Sequence, residues 1–91
     1  MALLIRPDGS TRTVLAEGSS FTLEEMYFLL DCSMIQPVYL EDDRIMVIDE
    51  EGKLKPHFVN SLATELLHKA GGLQADYIAG SALITEINEI Q

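Results

Sequence analysis

Cysteine occurs once in this chain of 91 residues, at Cys32, so no disulfide can close within it and no zinc site can be built from its own thiolates. A reducing, cytoplasmic setting is the expectation that follows. Basic side chains are scarce, 6 Lys and Arg against 15 Asp and Glu. The resulting net charge of -9 lacks the cationic footprint that a phosphate backbone requires, which argues against direct nucleic-acid binding. Apolar runs of the about 20 residues that span a bilayer are missing. The stretch from Met1 to Pro7 holds only four apolar residues after Met1, too few for the core of a secretion signal. A soluble protein with no membrane partner is therefore expected. The His-Glu-x-x-His pair and the phosphate-cradling glycine motifs are absent, and no local grouping supplies a nucleophile with its base. No catalytic residue, no cofactor and no metal are expected.

What the chain does have is apolar content, 47 % of residues, enough to build a packed core. Its length makes one domain spanning residues 1–91, with a radius of gyration of about 12 Å on the usual scaling. Ala2-Leu3-Leu4-Ile5 and Thr11 to Ala16 flank the turn residues Pro7-Asp8-Gly9-Ser10 and predict a β-hairpin. Thr22 and Glu25 have the spacing of a capping box, and Leu23, Met26, Tyr27 and Leu30 recur at helical spacing, so a helix starts at Thr22 and ends near Asp31. Met34 to Leu40 has strand composition, but Pro37 cannot donate to a ladder, which predicts an edge. Arg44 to Asp49 is a continuous apolar run between acidic turns and predicts a central strand covered on both faces. Asn60 or Ser61 can cap a second helix, with Val59, Leu62, Ala63, Leu66, Leu67 and Ala70 at helical spacing, which Gly71-Gly72 stops. Tyr77 to Ile87 reads as one long strand, with Gly80 marking a bulge or a close approach. The order is strand, strand, helix, strand, strand, helix, strand. The expected fold is α+β, a mainly antiparallel five-stranded sheet with two helices on one face.

Candidate sites are few. Glu41-Asp42-Asp43 and Asp49-Glu50-Glu51 place six carboxylates within eleven residues. If Arg44 to Asp49 is a strand, however, Asp43 and Asp49 stand about 20 Å apart, too far to share one ion. Each group is expected to be a solvated turn. Cys32, just past a helix end among apolar residues, is expected to be an inert thiol. The sharper feature is Lys53-Leu54-Lys55-Pro56-His57-Phe58-Val59-Asn60-Ser61, which brings three potential cations to a helix start in a chain otherwise poor in them. Free N–H groups and the helix dipole favour anions there, so Lys53, Lys55, His57, Asn60 and Ser61 are the candidate residues for binding a phosphate or carboxylate. The competing account is that the lysines offset Glu50 and Glu51 locally.

The succession Phe21-Thr22-Leu23-Glu24-Glu25-Met26, Met34-Ile35-Gln36-Pro37-Val38, Met46 to Leu54, Asn60 with Ala63, and Asp76-Tyr77-Ile78-Ala79-Gly80-Ser81-Ala82-Leu83-Ile84 resembles a small family catalogued as domain of unknown function 3846. The resemblance covers most of the chain and brings no catalytic residue with it. Its members are familiar from phages, plasmids and bacterial mobile elements, which implies an accessory or host-interaction role. Where many relatives show a Gly-Gly-Tyr-Ile-Glu-like run after the first helix, this chain has Cys32-Ser33-Met34-Ile35-Gln36. The functional expectation is a small acidic accessory protein, a non-enzymatic module that binds a protein partner. The alternative is a binder of a small anionic ligand such as a nucleotide or phosphometabolite. A homodimer paired through the edge at Pro37 is a secondary expectation.

Overall fold

In the computed structural model, which describes residues 1–90, the hairpin, the two helices and the remaining strands appear in the expected order. Gln91, the last residue of the expected 1–91 domain, lies outside the described residues. Strands β1 (Ala2–Ile5) and β2 (Thr11–Val14) form the hairpin, followed by α1 (Leu23–Leu30), β3 (Ile35–Tyr39), β4 (Arg44–Asp49), α2 (Ser61–Lys69) and β5 (Ala82–Glu86). The five strands make one sheet in the order β2-β1-β5-β4-β3, every neighbouring pair antiparallel, so the fold is α+β. The radius of gyration is 12.0 Å.

Local chemistry sets the helix ends. Thr22 caps α1: its Oγ1 accepts from Glu25 N–H at 3.1 Å while Glu25 Oε1 accepts from Thr22 N–H at 3.0 Å, closing the capping box. The other Glu25 oxygen accepts from Glu17 N–H, so the same side chain ties down the loop that leads in. Asp31 ends α1 in the left-handed conformation at φ 53°. Asn60, rather than Ser61, caps α2, its Oδ1 accepting from Ala63 N–H at 3.1 Å. Pro37 lies on β3, at one edge of the sheet, as its missing N–H requires.

The expectation of two helices on one face is corrected. Side chains alternate across a strand. In β4, Val47 turns to a cluster with Met26 and Leu30 of α1, whereas Met46 and Ile48 turn to a cluster with Ala63 and Leu67 of α2. Leu83 of β5 joins the first cluster, and Ala82 and Ile84 the second. The helices therefore cover opposite faces. The physical reason lies in β4 and β5, whose apolar residues are buried in both directions; a single helical layer would leave Val47 and Leu83 in water. The long C-terminal strand is also shorter than expected, because Gly80 takes φ 90° and breaks the extended run before Ala82. Upstream of Gly80 only an isolated bridge, Val59 with Ala79, continues the pairing.

Candidate functional site

Asp49 is the last residue of β4 and continues the alternation of Ile45 and Val47. It thus lies on the same face as Val47 of a strand buried on both faces, and its side chain retains 1 % exposure. A carboxylate so placed must be hydrogen-bonded or neutralised. Asp49 Oδ1 accepts from Glu51 N–H at 2.9 Å, a turn that swings the chain back toward the sheet. Asp49 Oδ2 meets Lys55 Nζ at 2.8 Å and His57 Nε2 at 3.4 Å. Burial of the Asp49 carboxyl favours its neutral form, but the hydrogen bonds from Lys55 and Glu51 N–H, with the Lys55 charge, outweigh that and hold its pKa below the ordinary value. The hydrogen bond to Asp49 in turn raises the pKa of Lys55. Burial, reinforced by the Asp49 charge, pushes the nearby Cys32 thiol up and away from reactive thiolate.

Two glycines let the backbone close around this ion pair. A Cβ on Gly52 would stand 2.6 Å from the Ala79 carbonyl oxygen, so only glycine lets the 3-10 turn Gly52–Leu54 press against that strand-like segment. A Cβ on Gly80 would stand 3.0 Å from His57 Cδ2, and the positive φ there independently favours glycine. Backbone bonds from Gly80 N–H to the Phe58 carbonyl at 2.9 Å and from Asn60 N–H to the Ile78 carbonyl at 2.8 Å complete the attachment.

Of the candidate anion-binding residues, Lys55 and His57 are brought together, and the anion they face is the chain's own Asp49. Lys53 is drawn elsewhere. It pairs with Asp76 and lies 4.7 Å above the Tyr77 ring centroid, and this hydrogen bond, with one from Tyr77 N–H, lowers the Asp76 pKa. Asn60 is fully buried; besides capping α2 it donates from Nδ2 to the carbonyls of Ile5 at 3.0 Å and Gly80 at 2.9 Å. Ser61 is the exposed first residue of α2. A cleft of about 170 Å³ opens beside this region, with Asp49, Glu50, Lys53 and Asp76 around an apolar floor of Val38, Ile48, Leu67 and Ile78. Its three carboxylates against one lysine do not favour an anion.

Asp49 was legible only as one of the turn acids, and the signal that separates it from its neighbours is that it ends the doubly buried β4, whereas Glu50 and Glu51 follow the strand. Glu50 is exposed to water and Glu51 partly so, in keeping with a solvated turn. No group of three or more His, Cys, Asp or Glu side chains is arranged to hold a metal ion among the described residues, and no helix there is long and apolar enough to cross a membrane.

The geometry defines a small α+β domain in which a buried carboxylate clamps the segment leading into the second helix. The family model described as Domain of unknown function (DUF3846) matches residues 1–90, and the chain belongs to that family. Neither a curated protein nor a solved structure matches it significantly.

Proposed function

We propose that the chain is a non-enzymatic protein-interaction module of the accessory kind that the family resemblance implies, and that its contact surface is the segment from Leu54 to Leu62. The observation that carries this reading is an apolar surface on an anchored frame. Leu54 and Phe58 remain 85 % and 83 % exposed, with Val59 and Leu62 beside them in sequence and also exposed. The backbone between is fastened through Asp49, Gly52, Gly80 and Asn60. Large apolar side chains displayed on an anchored backbone require little backbone ordering on binding, and exposure of this kind along one segment marks protein contacts.

The net charge of -9 favours a partner that is basic around an apolar anchor, because it steers such a partner and repels acidic surfaces, nucleic acid included. The ion pairs of Lys53 and Lys55 leave the patch itself nearly neutral. The test is cross-linking capture from the source cells with the unaltered chain and with a Leu54→Asp, Phe58→Asp double variant. Both side chains lie in solvent, so the double variant should melt as the unaltered chain does while losing the captured protein. A double variant that retains the same partner, or an unaltered chain that captures none, defeats the proposal.

A further inference from the structure

The two edges of the sheet are not equivalent. On β3, the bonds from Leu40 N–H to the Arg44 carbonyl and from Glu50 N–H to the Met34 carbonyl show that the even-numbered residues face β4. Antiparallel ladders alternate, so Ile35, Pro37 and Tyr39 turn their backbone groups outward, and the middle one of the three has no N–H to offer. That edge, where a homodimer was expected from sequence, is blunted. On β2, the bond from Arg6 N–H to the Ser10 carbonyl at 2.9 Å fixes the opposite parity: Arg12 and Val14 face β1, while Thr11 and Thr13 turn outward. Thr11, Arg12 and Thr13 are exposed, and the stretch from Ser10 to Ala16 contains no proline, glycine or acid.

We propose that a second copy of this chain adds to the β2 edge, antiparallel, with Thr13 paired to Thr13 of the second copy on the two-fold axis. This register places both outward positions of β2 in the ladder, Thr13 on the axis and Thr11 against Leu15 of the second copy, which follows β2 directly. Shifting it so that Thr11 meets Thr13 sets two Arg12 side chains directly opposite each other, which like charges disfavour. The stretch from Ser10 to Ala16 carries no acid, so the paired ladder itself sets no carboxylate of one chain against a carboxylate of the other, although both have a net charge of -9.

The surface beside the edge suits the same occupant. Leu15 is 71 % exposed in the single chain. Thr11 and Thr13 pair with Ile5 and Leu3 and share their face, where Leu3 stays exposed. There a groove of about 690 Å³ has Leu3, Ile5, Leu66 and Ile84 among its lining and reaches the edge at Thr13, with Arg44, Glu86 and Glu89 also bordering it. The contact is small, so association is reversible and concentration-dependent.

Sedimentation equilibrium of the full chain from micromolar to millimolar concentration should show monomer passing into dimer. Amide exchange should show Thr11 and Thr13 protected only in the concentrated sample. Thr13→Pro removes an N–H that makes no bond to β1, so it should leave the circular dichroism spectrum unchanged and weaken association about tenfold or more, two symmetric bonds being lost. Three results overturn the proposal: a chain that stays monomeric at millimolar concentration, protection that appears at Tyr39 in place of Thr11 and Thr13, or a folded Thr13→Pro variant that associates as tightly as the unaltered chain. Should Thr13→Pro not fold, the exchange pattern of the unaltered chain decides between the same outcomes.

Discussion

At the scale of single residues, Asp49 shows how burial converts a charge from a surface feature into a structural commitment. Its carboxylate has no water to fall back on, so Lys55, His57 and the Glu51 N–H must all arrive for the strand end to be stable. Asp49→Asn keeps the shape but removes the charge, leaving Lys55 without its counter-ion. Because Lys55 remains partly hydrated, the cost should be about 2–3 kcal/mol in urea unfolding, below that of a fully buried pair. The pH dependence follows from the direction of each shift. The Asp49 pKa is lower in the folded chain than in the unfolded one. Between those two values the unfolded chain binds the extra proton, so the Asp49 contribution is complete above the unfolded carboxylate value near about 4 and is lost as pH falls through the folded value. The Lys55 pKa is raised, so its contribution is lost at the alkaline end, as pH rises through its folded value. The Asp49→Asn variant should therefore show a flatter loss of stability below about pH 4 than the unaltered chain. Parallel acid limbs for the two proteins would show that Asp49 is not the group being titrated.

At the scale of elements, Asn60 joins three of them with one side chain, capping α2 while donating to the end of β1 and to the turn at Gly80. Asn60→Asp preserves the capping oxygen but removes both donors and places a carboxylate against two carbonyl oxygens in a fully buried site. A loss of about 3–5 kcal/mol is expected in thermal or urea unfolding. A loss under about 1 kcal/mol would mean that the carbonyls of Ile5 and Gly80 find other donors. Capping is also where the sequence was most legible. Thr22 with Glu25 and Asn60 with the apolar periodicity after it declare their helices locally, and Pro37 declares its edge, because each depends on bonds made within a few residues. The placement of the helices was not legible in the same way. An apolar stripe says that a helix is covered, not which side of the sheet covers it. Only the doubly apolar β4, read as buried on both faces, carried that information. The candidate site was half legible for a related reason. Lys53, Lys55 and His57 stand out in an acidic chain, but Asp49, the partner of Lys55 and His57, lies hidden among six carboxylates and is distinguished only once the end of the strand is known.

At the scale of the whole molecule, the two-faced sheet divides the core into clusters that share strands but not side-chain contacts. Met26 of α1 is fully buried against Val47 and Leu83, and Leu67 of α2 is buried against Met46 and Ile84 on the other side. Met26→Ala and Leu67→Ala should each cost about 2–4 kcal/mol. With the sheet between them and no shared cavity, their effects should add to within about 0.5 kcal/mol. The sum is comparable to the total stability of a domain this size, about 5–14 kcal/mol, so the double variant should be marginal at room temperature. Additivity of the costs does not imply independent melting. Strands β1, β4 and β5 each send residues to both clusters, so neither face can lose its helix without exposing the strands that support the other. Urea unfolding followed by circular dichroism and by tyrosine fluorescence, with Tyr27 on α1 and Tyr77 near α2, should therefore give coincident single transitions in both single variants. A tyrosine transition that precedes the loss of sheet signal in Leu67→Ala, or a coupling above about 1 kcal/mol between the two substitutions, would show instead that the α2 layer folds as a separate unit or that the faces communicate through the sheet.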